Sequence, residues 1–172
     1  MWIRALAVVF GFGLVAAACG GSSSDGGAQG PSGAGDAAAP GFTAATVSGG
    51  EFDSASLEGA PSVLWFWAPW CTSCRAEAPD VVAAAEAFDG RVQVVGVAGR
   101  GEIPAMEGFV ADTGTGALEH VVDADGSIWS DYGVFAQPAF AFVGASGEVE
   151  VFVGTMGEDA LVERMTSLAD AT

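Results

Sequence analysis

Two cysteines separated by two residues are the part of this sequence best suited to chemistry. Cys71 and Cys74 stand in the run Trp70-Cys71-Thr72-Ser73-Cys74, where a continuously apolar stretch ends and a helix-forming stretch begins. Residues three apart on a helix share a face, so the two sulfurs can close a small disulfide ring without any unfolding. The spacing therefore predicts a pair that switches between dithiol and disulfide.

The two cysteines differ in their expected roles. The first turn of a helix leaves N–H groups unpaired and carries the positive end of the helix dipole, and both effects stabilise a thiolate. Only the thiolate attacks a disulfide, so we expect Cys71, at the helix start, to be the nucleophile. Cys74 lies one turn deeper, and we expect it to resolve the mixed disulfide by attacking the Cys71 sulfur and expelling the client's thiol.

The elements that must position this pair follow from the hydrophobic pattern. From Phe42 onward, apolar runs alternate with amphipathic stretches, which predicts an α/β fold. Residues 63–67 are continuously apolar and predict a central strand covered on both faces. Residues 71–88 have apolar positions at helical spacing, so the pair falls in the first turn of a helix that follows this strand. Further strands are predicted over residues 91–98 and 120–122.

The rest of the chain continues the alternation. Pro104 sits where the first turn of a helix accepts proline, and Gly114 marks the end of that helix. Residues 139–143 and 148–153 flank a glycine-bounded turn and predict a hairpin. Residues 158–169 carry one apolar stripe and predict a closing helix.

The composition excludes several classes of function. Five basic residues stand against 22 acidic ones, which gives a formal charge of −17 and excludes a nucleic-acid binder that neutralises phosphates. All five basic residues are Arg, so chemistry that needs a lysine Schiff base is excluded as well. A single histidine, His120, cannot build a histidine-rich metal site. We expect no cofactor, no metal and no nucleic-acid partner.

The N-terminus predicts export. Residues 1–18 begin with a positive charge and continue as an apolar run that is too short to span a bilayer, which is typical of a signal peptide. The run ends in small residues before Cys19 and resembles a bacterial lipobox, in which this cysteine carries a diacylglycerol. Ala16 replaces the larger aliphatic residue usual in a lipobox, so cleavage by an ordinary signal peptidase stays an alternative.

Between Cys19 and the predicted domain lies a stretch with almost nothing that can fill a core. Residues 19–41 comprise this cysteine and a tether rich in Gly, Ser and Ala, and residues 42–172 form the predicted domain. A flexible chain of this length has an end-to-end distance of about 25 Å. We therefore expect an extracytoplasmic lipoprotein held close to the cell membrane. Its acidity argues against electrostatic adhesion to an anionic bilayer, so attachment rests on the lipid.

Two separated motifs carry a family resemblance. The run FWAPWC at residues 66–71, with EAP at 77–79, and the run YGVFAQPAF at 132–140 occur in the order seen in the thioredoxin superfamily. The residues of these motifs resemble those of the extracytoplasmic TlpA/ResA-like branch and are close to those of the actinobacterial DsbE/DsbF-like lipoproteins. The resemblance implies a thioredoxin fold: a central mixed β-sheet flanked by helices, with a C-terminal hairpin and helix.

The resemblance also implies roles for individual residues. Pro138 matches the cis-proline of the superfamily, and Gln137 beside it is expected to face Cys71 and hydrogen-bond the client backbone, with simple packing as the alternative. Glu77 matches an acidic residue of the ResA-like branch and is a candidate base for Cys74, with a solvated carboxylate on the helix face as the alternative. Cytoplasmic thioredoxins carry a buried Asp where this chain has Trp65. The other residues expected to contact the client are Trp70, Pro69, Thr72 and Ser73.

Other uses of a Cys-x-x-Cys pair fit less well. A c-type haem site needs His after the second Cys, where Arg75 stands, and a structural zinc needs four ligands. Copper-delivery relatives of the fold use a wider cysteine spacing and a distant His, and peroxiredoxins use a lone peroxidatic Cys. Asp123 and Asp125 resemble part of a calcium loop, but a β-turn fits better because Tyr132 occupies the place of the closing Glu.

A few aromatic and polar side chains were assigned by pattern alone. His120 is expected to be a strand or surface residue and not a ligand. Trp67 is expected to line the site together with Trp70. The predicted core includes Trp129, Phe135 and Phe140.

These observations predict a thiol:disulfide oxidoreductase that exchanges disulfides with secreted proteins, in oxidative folding, as a monomer served by a membrane redox partner. A ResA-like reductant of apocytochrome c cysteines is the alternative within the enzyme class, since both directions use the same residues. A non-catalytic lipoprotein with a structural Cys71–Cys74 disulfide is the alternative from another class.

Overall fold

A mixed β-sheet carries the fold within residues 38–171, the part of the chain that the computed structural model describes. Its five strands lie in the order β5-β4-β3-β6-β7. β4 is parallel to both β3 and β5, whereas β6 is antiparallel to both β3 and β7. The strands are β3 (Ser62–Trp67), β4 (Gln93–Gly99), β5 (Glu119–Asp123), β6 (Ala139–Val143) and β7 (Val149–Val153).

Helices cover both faces of this sheet, as the family resemblance implies. The remaining elements are a small antiparallel pair β1 (Thr43–Ala45) and β2 (Glu51–Asp53), a 3-10 turn (Ser54–Leu57), and the helices α1 (Thr72–Ala87), α2 (Ile103–Thr113), α3 (Ser127–Asp131) and α4 (Glu158–Asp170). The predicted α/β class, the central strand, the C-terminal hairpin and the closing helix are confirmed.

The central strand β3 explains the two-layer core. All six of its residues are buried, and alternate side chains point to opposite faces of the sheet. Val63, Trp65 and Trp67 pack with α1, α2 and α4 in one cluster. Leu64 and Phe66 pack with α3 and the neighbouring strands in the other. Because side chains pack against both faces of β3, the strand fixes the position of the turn that follows its C-terminal end.

Glycine ends helix α2 as predicted. Gly114 follows Thr113 with φ of 71°, a left-handed conformation that costs glycine little because it has no Cβ. The acidic residues of the turn after β5 serve as backbone caps. Both carboxylate oxygens of the buried Asp123 accept hydrogen bonds from N–H groups of α3, at Ile128 and Trp129. This agrees with the interpretation of the segment as a turn.

Two assignments made from pattern alone were wrong. Phe135 was predicted to be core but is 75% exposed, because it stands in the loop before Pro138 and not on a strand or helix that faces the core. Trp67 was predicted to line the site but is fully buried and stacks on Phe109, with ring centroids 4.1 Å apart. Trp129 and Phe140 are buried as predicted.

The folded part of the chain begins before Phe42, where the domain was expected to start. Ala39 N–H donates to the carbonyl of Gly147 at 2.8 Å, and the Tyr132 hydroxyl donates to the carbonyl of Pro40 at 3.0 Å. The last residues of the predicted tether therefore belong to the domain. The predicted signal peptide, Cys19 and the tether up to residue 37 lie outside the described residues.

A search for membrane-spanning helices covered residues 38–171. None of the helices there combines the length and the apolar character that crossing a bilayer requires.

Candidate active site

The cysteine pair stands where the sequence places it, at the start of α1. β3 ends at Trp67, a short turn follows, and Cys71 is the N-cap residue of the helix. Cys71 and Cys74 form a disulfide, with their Cα atoms 5.3 Å apart. The Cys71 sulfur accepts a hydrogen bond from the N–H of Cys74 at 3.1 Å. This N–H is one of the unpaired donors of a helix start, and it faces the sulfur that becomes a thiolate on reduction.

The two sulfurs differ in how a client can approach them. Cys71 is 5% exposed, whereas Cys74 is fully buried beneath the first turn of α1. Thr72, Ser73 and Trp70 are exposed beside the pair, and Pro69 is buried behind it. A thiol from another protein therefore meets the Cys71 sulfur first.

A buried carboxyl group lies one helical turn beyond Cys74. Glu77 is 3% exposed, so the alternative of a solvated carboxylate on the helix face was wrong. Its Oε1 accepts from the Trp65 indole N–H at 2.8 Å, and its Oε2 accepts from the Met156 N–H at 3.2 Å. Burial raises the pKa of Glu77 from 4.5 to about 7, although both hydrogen bonds act to lower it, and nearby Asp80 raises it further.

Trp65 supplies a reason for this arrangement. It occupies the position at which cytoplasmic thioredoxins carry a buried Asp, and here its indole N–H donates to a carboxyl group that comes from the helix instead. In this chain the buried acidic group therefore comes from helix α1 and not from strand β3. A carboxyl whose pKa lies near 7 can hold or release a proton at neutral pH.

The loop before β6 brings a second motif to the pair. The Gln137–Pro138 peptide bond is cis, as the resemblance implies, and Pro138 is buried. Directly after it, Ala139 pairs with Phe66 near the C-terminal end of β3. That strand end leads into the turn that carries Cys71, so the loop and the disulfide lie at the same end of the sheet.

Sequence reasoning missed Arg100, which connects these two segments. Its carbonyl accepts from the Trp70 indole N–H at 2.8 Å. Its guanidinium donates to Gln137 Oε1 at 3.1 Å and to the Phe135 carbonyl at 2.8 Å. The only available signal was an arginine between two glycines at the end of a buried strand. The chain approaches Pro69 so closely here that a Cβ on Gly101 would lie 2.4 Å from the Pro69 ring.

The single histidine serves the core. His120 lies on β5, as predicted, and is buried. The Trp67 indole N–H only donates, so His120 Nδ1 is the acceptor at 3.2 Å and Nε2 donates to the Thr115 carbonyl at 3.0 Å. Burial lowers the His120 pKa, which keeps this ring neutral. Within residues 38–171, no group of three or more Cys, His, Asp or Glu side chains is placed to hold a metal ion.

The assembled geometry suits exchange between thiols and disulfides. It combines a slightly exposed cysteine at a helix start, a second cysteine that is fully buried and bonded to the first, and a buried acid with a near-neutral pKa. Each of these features has a part in the reaction, since exchange needs an attacking thiolate, a resolving thiol and a group that accepts and donates protons.

Comparisons with known proteins agree with this chemistry. The model of the AhpC/TSA family matches residues 35–152. The soluble secreted antigen MPT53 of Mycobacterium tuberculosis H37Rv is 45% identical over 131 residues, which cover 74% of each chain. The thiol:disulfide interchange protein DsbE of Pseudomonas fluorescens is 29% identical, over 76% of this chain and 75% of its own. A solved structure of MTB dsbF, in mixed oxidized and reduced forms, is 46% identical with a TM-score of 0.72 and covers 74% of this chain and 94% of its own.

Proposed function

Since the chain belongs to the thioredoxin-like AhpC/TSA family and is a thiol:disulfide oxidoreductase, we propose that it oxidises the cysteines of secreted proteins as they fold. One observation carries this proposal: the Cys71–Cys74 disulfide stands at a helix start, with Cys71 5% exposed and Cys74 fully buried. A purely structural disulfide has no need of that asymmetry. The protein acts as a monomer and needs no cofactor beyond its own cysteines.

The reaction consists of two thiol exchanges. A client thiolate attacks the Cys71 sulfur, the Cys71–Cys74 bond breaks, and Cys74 leaves as a thiolate that takes up a proton. A second client thiolate then attacks the client sulfur of the mixed disulfide and expels Cys71 as a thiolate. The client loses two electrons and the cysteine pair gains them. A membrane redox partner returns the pair to the disulfide by the reverse exchanges.

We assign roles around this cycle to the residues at the site. The helix start stabilises the Cys71 thiolate and thereby makes it a good leaving group. Glu77 exchanges the proton that Cys74 gains or loses, because its raised pKa leaves both of its forms populated at neutral pH. Pro69, Trp70, Thr72, Ser73 and Gln137, with the loop at Pro138, form the surface that the client meets.

The direction of exchange is tested by the reduction potential. Oxidation of folding clients requires a potential between about −180 and −120 mV, the range from protein disulfide isomerase to DsbA, and we expect a value in this range. Equilibration with glutathione buffers of defined ratio at pH 7, followed by acid quenching and mass spectrometry, measures it. A value below about −250 mV would contradict oxidative folding and support the ResA-like reduction of apocytochrome c cysteines.

We further propose that the protein is an extracytoplasmic lipoprotein. Residues 1–18 are a signal peptide, Cys19 becomes the lipidated N-terminus, and the residues up to 37 tether the domain. The secreted relative supports export of this chain, and the lipobox-like sequence before Cys19 supports the anchor.

Intact mass spectrometry tests the anchor. We expect the mature protein to begin at Cys19 and to carry the mass of a diacylglycerol, with a Cys19→Ser variant losing that mass and leaving the membrane fraction. Cys74→Ser is the matched control, because it also removes one thiol but leaves the predicted anchor intact. An unmodified wild-type chain that begins at another residue would refute lipidation and favour ordinary signal peptidase cleavage.

A further inference from the structure

The Gly99–Gly101 loop holds an arginine in an unusual conformation beside the disulfide. Arg100 has φ of 56°, in the left-handed region that a side chain with a Cβ rarely adopts. A Cβ on Gly99 would meet the Trp129 indole at 2.8 Å, and one on Gly101 would meet Pro69 at 2.4 Å. The loop is therefore fixed by close packing on both sides of Arg100, and the arginine is the one side chain it presents.

That side chain reaches across to the loop before Pro138. The guanidinium lies over the Trp129 ring, 4.7 Å from its centroid, and donates to Gln137 Oε1 and to the Phe135 carbonyl. Stacking restricts the plane of the guanidinium, and two acceptors on one short loop use its fork of N–H groups. The Trp70 indole, directly before Cys71, is bonded in turn to the Arg100 carbonyl. Arg100 thus links the cysteine turn to the cis-proline loop.

The chemistry of the guanidinium decides which way the Gln137 amide is turned. Arginine only donates hydrogen bonds, so the amide oxygen must face it and the amide nitrogen must face elsewhere. Gln137 is half-buried, and within residues 38–171 its Nε2 has no hydrogen-bond partner. A free donor on the loop beside the disulfide is complementary to a backbone carbonyl of an extended polypeptide.

We propose that Arg100 is a positioning residue for exchange with polypeptides, which fixes the Gln137 amide so that its nitrogen donates to a client backbone carbonyl next to the reacting cysteine. This inference rests on the proposed function, because it presupposes that the client is a protein thiol. It assigns Arg100 to recognition of the client. The reactivity of the cysteine pair itself is left to the helix start and Glu77.

The test compares two thiols that differ in what they offer to Gln137. One is a ten-residue peptide with a single internal cysteine, and the other is dithiothreitol, which has no amide carbonyl. The oxidised protein is reduced by each, and rate against concentration gives KM and kcat. The variants are Arg100→Asn, which removes the guanidinium but tolerates a left-handed backbone, Gln137→Met, and their combination. Arg91→Asn removes an exposed arginine far from the loop and is the control for charge.

We expect Arg100→Asn and Gln137→Met each to raise KM for the peptide by about threefold to tenfold, the effect of losing one hydrogen bond. The double variant should be no worse than the poorer single variant, since both remove the same contact. In Arg100→Asn and Gln137→Met the effect should fall on KM for the peptide more than on kcat, and it should exceed any loss with dithiothreitol. Arg91→Asn should match wild type in KM, in kcat and in the dithiothreitol rate. Gln137→Glu keeps an oxygen for Arg100 but has no amide nitrogen, so it should fail with the peptide as Gln137→Met does.

Three results would overturn the proposal. The first is a Gln137→Glu protein with wild-type KM for the peptide, since it would show that loop placement suffices without the donor. The second is an equal loss with peptide and dithiothreitol, which would place Arg100 in the chemistry of the pair. The third is full additivity of the two single variants. Failure of the proposed function looks different, because it would appear in wild type itself, as no exchange with the peptide or as a reduction potential in the range of reductants.

Discussion

A Cys71→Ser protein is expected to show no dithiol–disulfide exchange with any client, whereas Cys74→Ser is expected to accumulate mixed disulfides through Cys71. The reason is the difference in access between the two sulfurs. The Cys71 sulfur lies at the helix start with the Cys74 N–H 3.1 Å away, and the Cys74 sulfur is buried below it. Without Cys71 no sulfur meets the client, and without Cys74 nothing releases it.

Trapping on non-reducing gels, after acid quenching of the reduced variants with an oxidised secreted protein, distinguishes these outcomes. We expect a Cys74→Ser adduct of the combined mass of protein and client that disappears on reduction, and no adduct for Cys71→Ser. Circular dichroism of both variants controls for folding. Adducts that form through Cys74 in the Cys71→Ser protein, or exchange at the wild-type rate, would show that the nucleophile has been assigned to the wrong cysteine.

Glu77 is expected to make the stability of the oxidised protein depend on pH. Its pKa is about 7 in the folded chain and 4.5 as an ordinary carboxyl, so the folded state binds the proton more tightly. Stability is therefore fully present below about pH 4.5 and is lost as pH rises towards 7. One pKa unit is worth about 1.4 kcal/mol, which puts the loss across this window at about 3 kcal/mol.

The comparison of wild type with Glu77→Gln isolates this contribution. The amide does not titrate, but it can accept only one of the hydrogen bonds from Trp65 and Met156, which costs about 1 to 2 kcal/mol at every pH. Wild type should thus be the more stable protein at pH 5, and its advantage should shrink or reverse by pH 8. The difference in stability between wild type and Glu77→Gln also cancels the contribution of His120, which both proteins share. The lowered pKa of His120 makes that contribution increase with pH, opposite to that of Glu77.

Urea unfolding of the oxidised proteins at several pH values between 5 and 8 measures this difference. Glu86→Gln removes an exposed carboxylate from the same helix without touching the buried site, and it is the matched control. If the Glu77→Gln difference does not change with pH, the Glu77 carboxyl is ionised throughout and has no proton to exchange with Cys74 near neutral pH. That result would remove Glu77 from the mechanism.

The parts of the fold predicted from sequence are those with a local signal. Three signals act within a few residues of the chain: the apolar run of β3, the spacing of the two cysteines and the glycine that ends α2. Their structural consequences could therefore be predicted from the sequence. The cis-proline needed the family resemblance, because nothing in the residues around Pro138 alone distinguishes it from an ordinary proline.

The errors and omissions concern groups whose surroundings come from distant parts of the chain. Glu77 is an ionisable residue among the residues of a helix face, and only the approach of Trp65 and Met156 makes it a buried acid. Phe135 is aromatic, yet the loop that carries it turns it outward. Arg100 gains its partners only when three loops meet at one end of the sheet. The hydrophobic pattern of a sequence does not show which distant segments come into contact in the fold.

The hydrogen bond between Ala39 and Gly147 fixes where the described chain joins the sheet. Gly147 follows β6 at the end of the sheet where Val143 pairs with Ser62, and the disulfide lies beyond the other end of β3, about 17 Å away along the strand. A pulling force applied to the chain at residue 38 would therefore load the domain at the end opposite the disulfide. The turn that carries Cys71 would not lie in the direct path of that force.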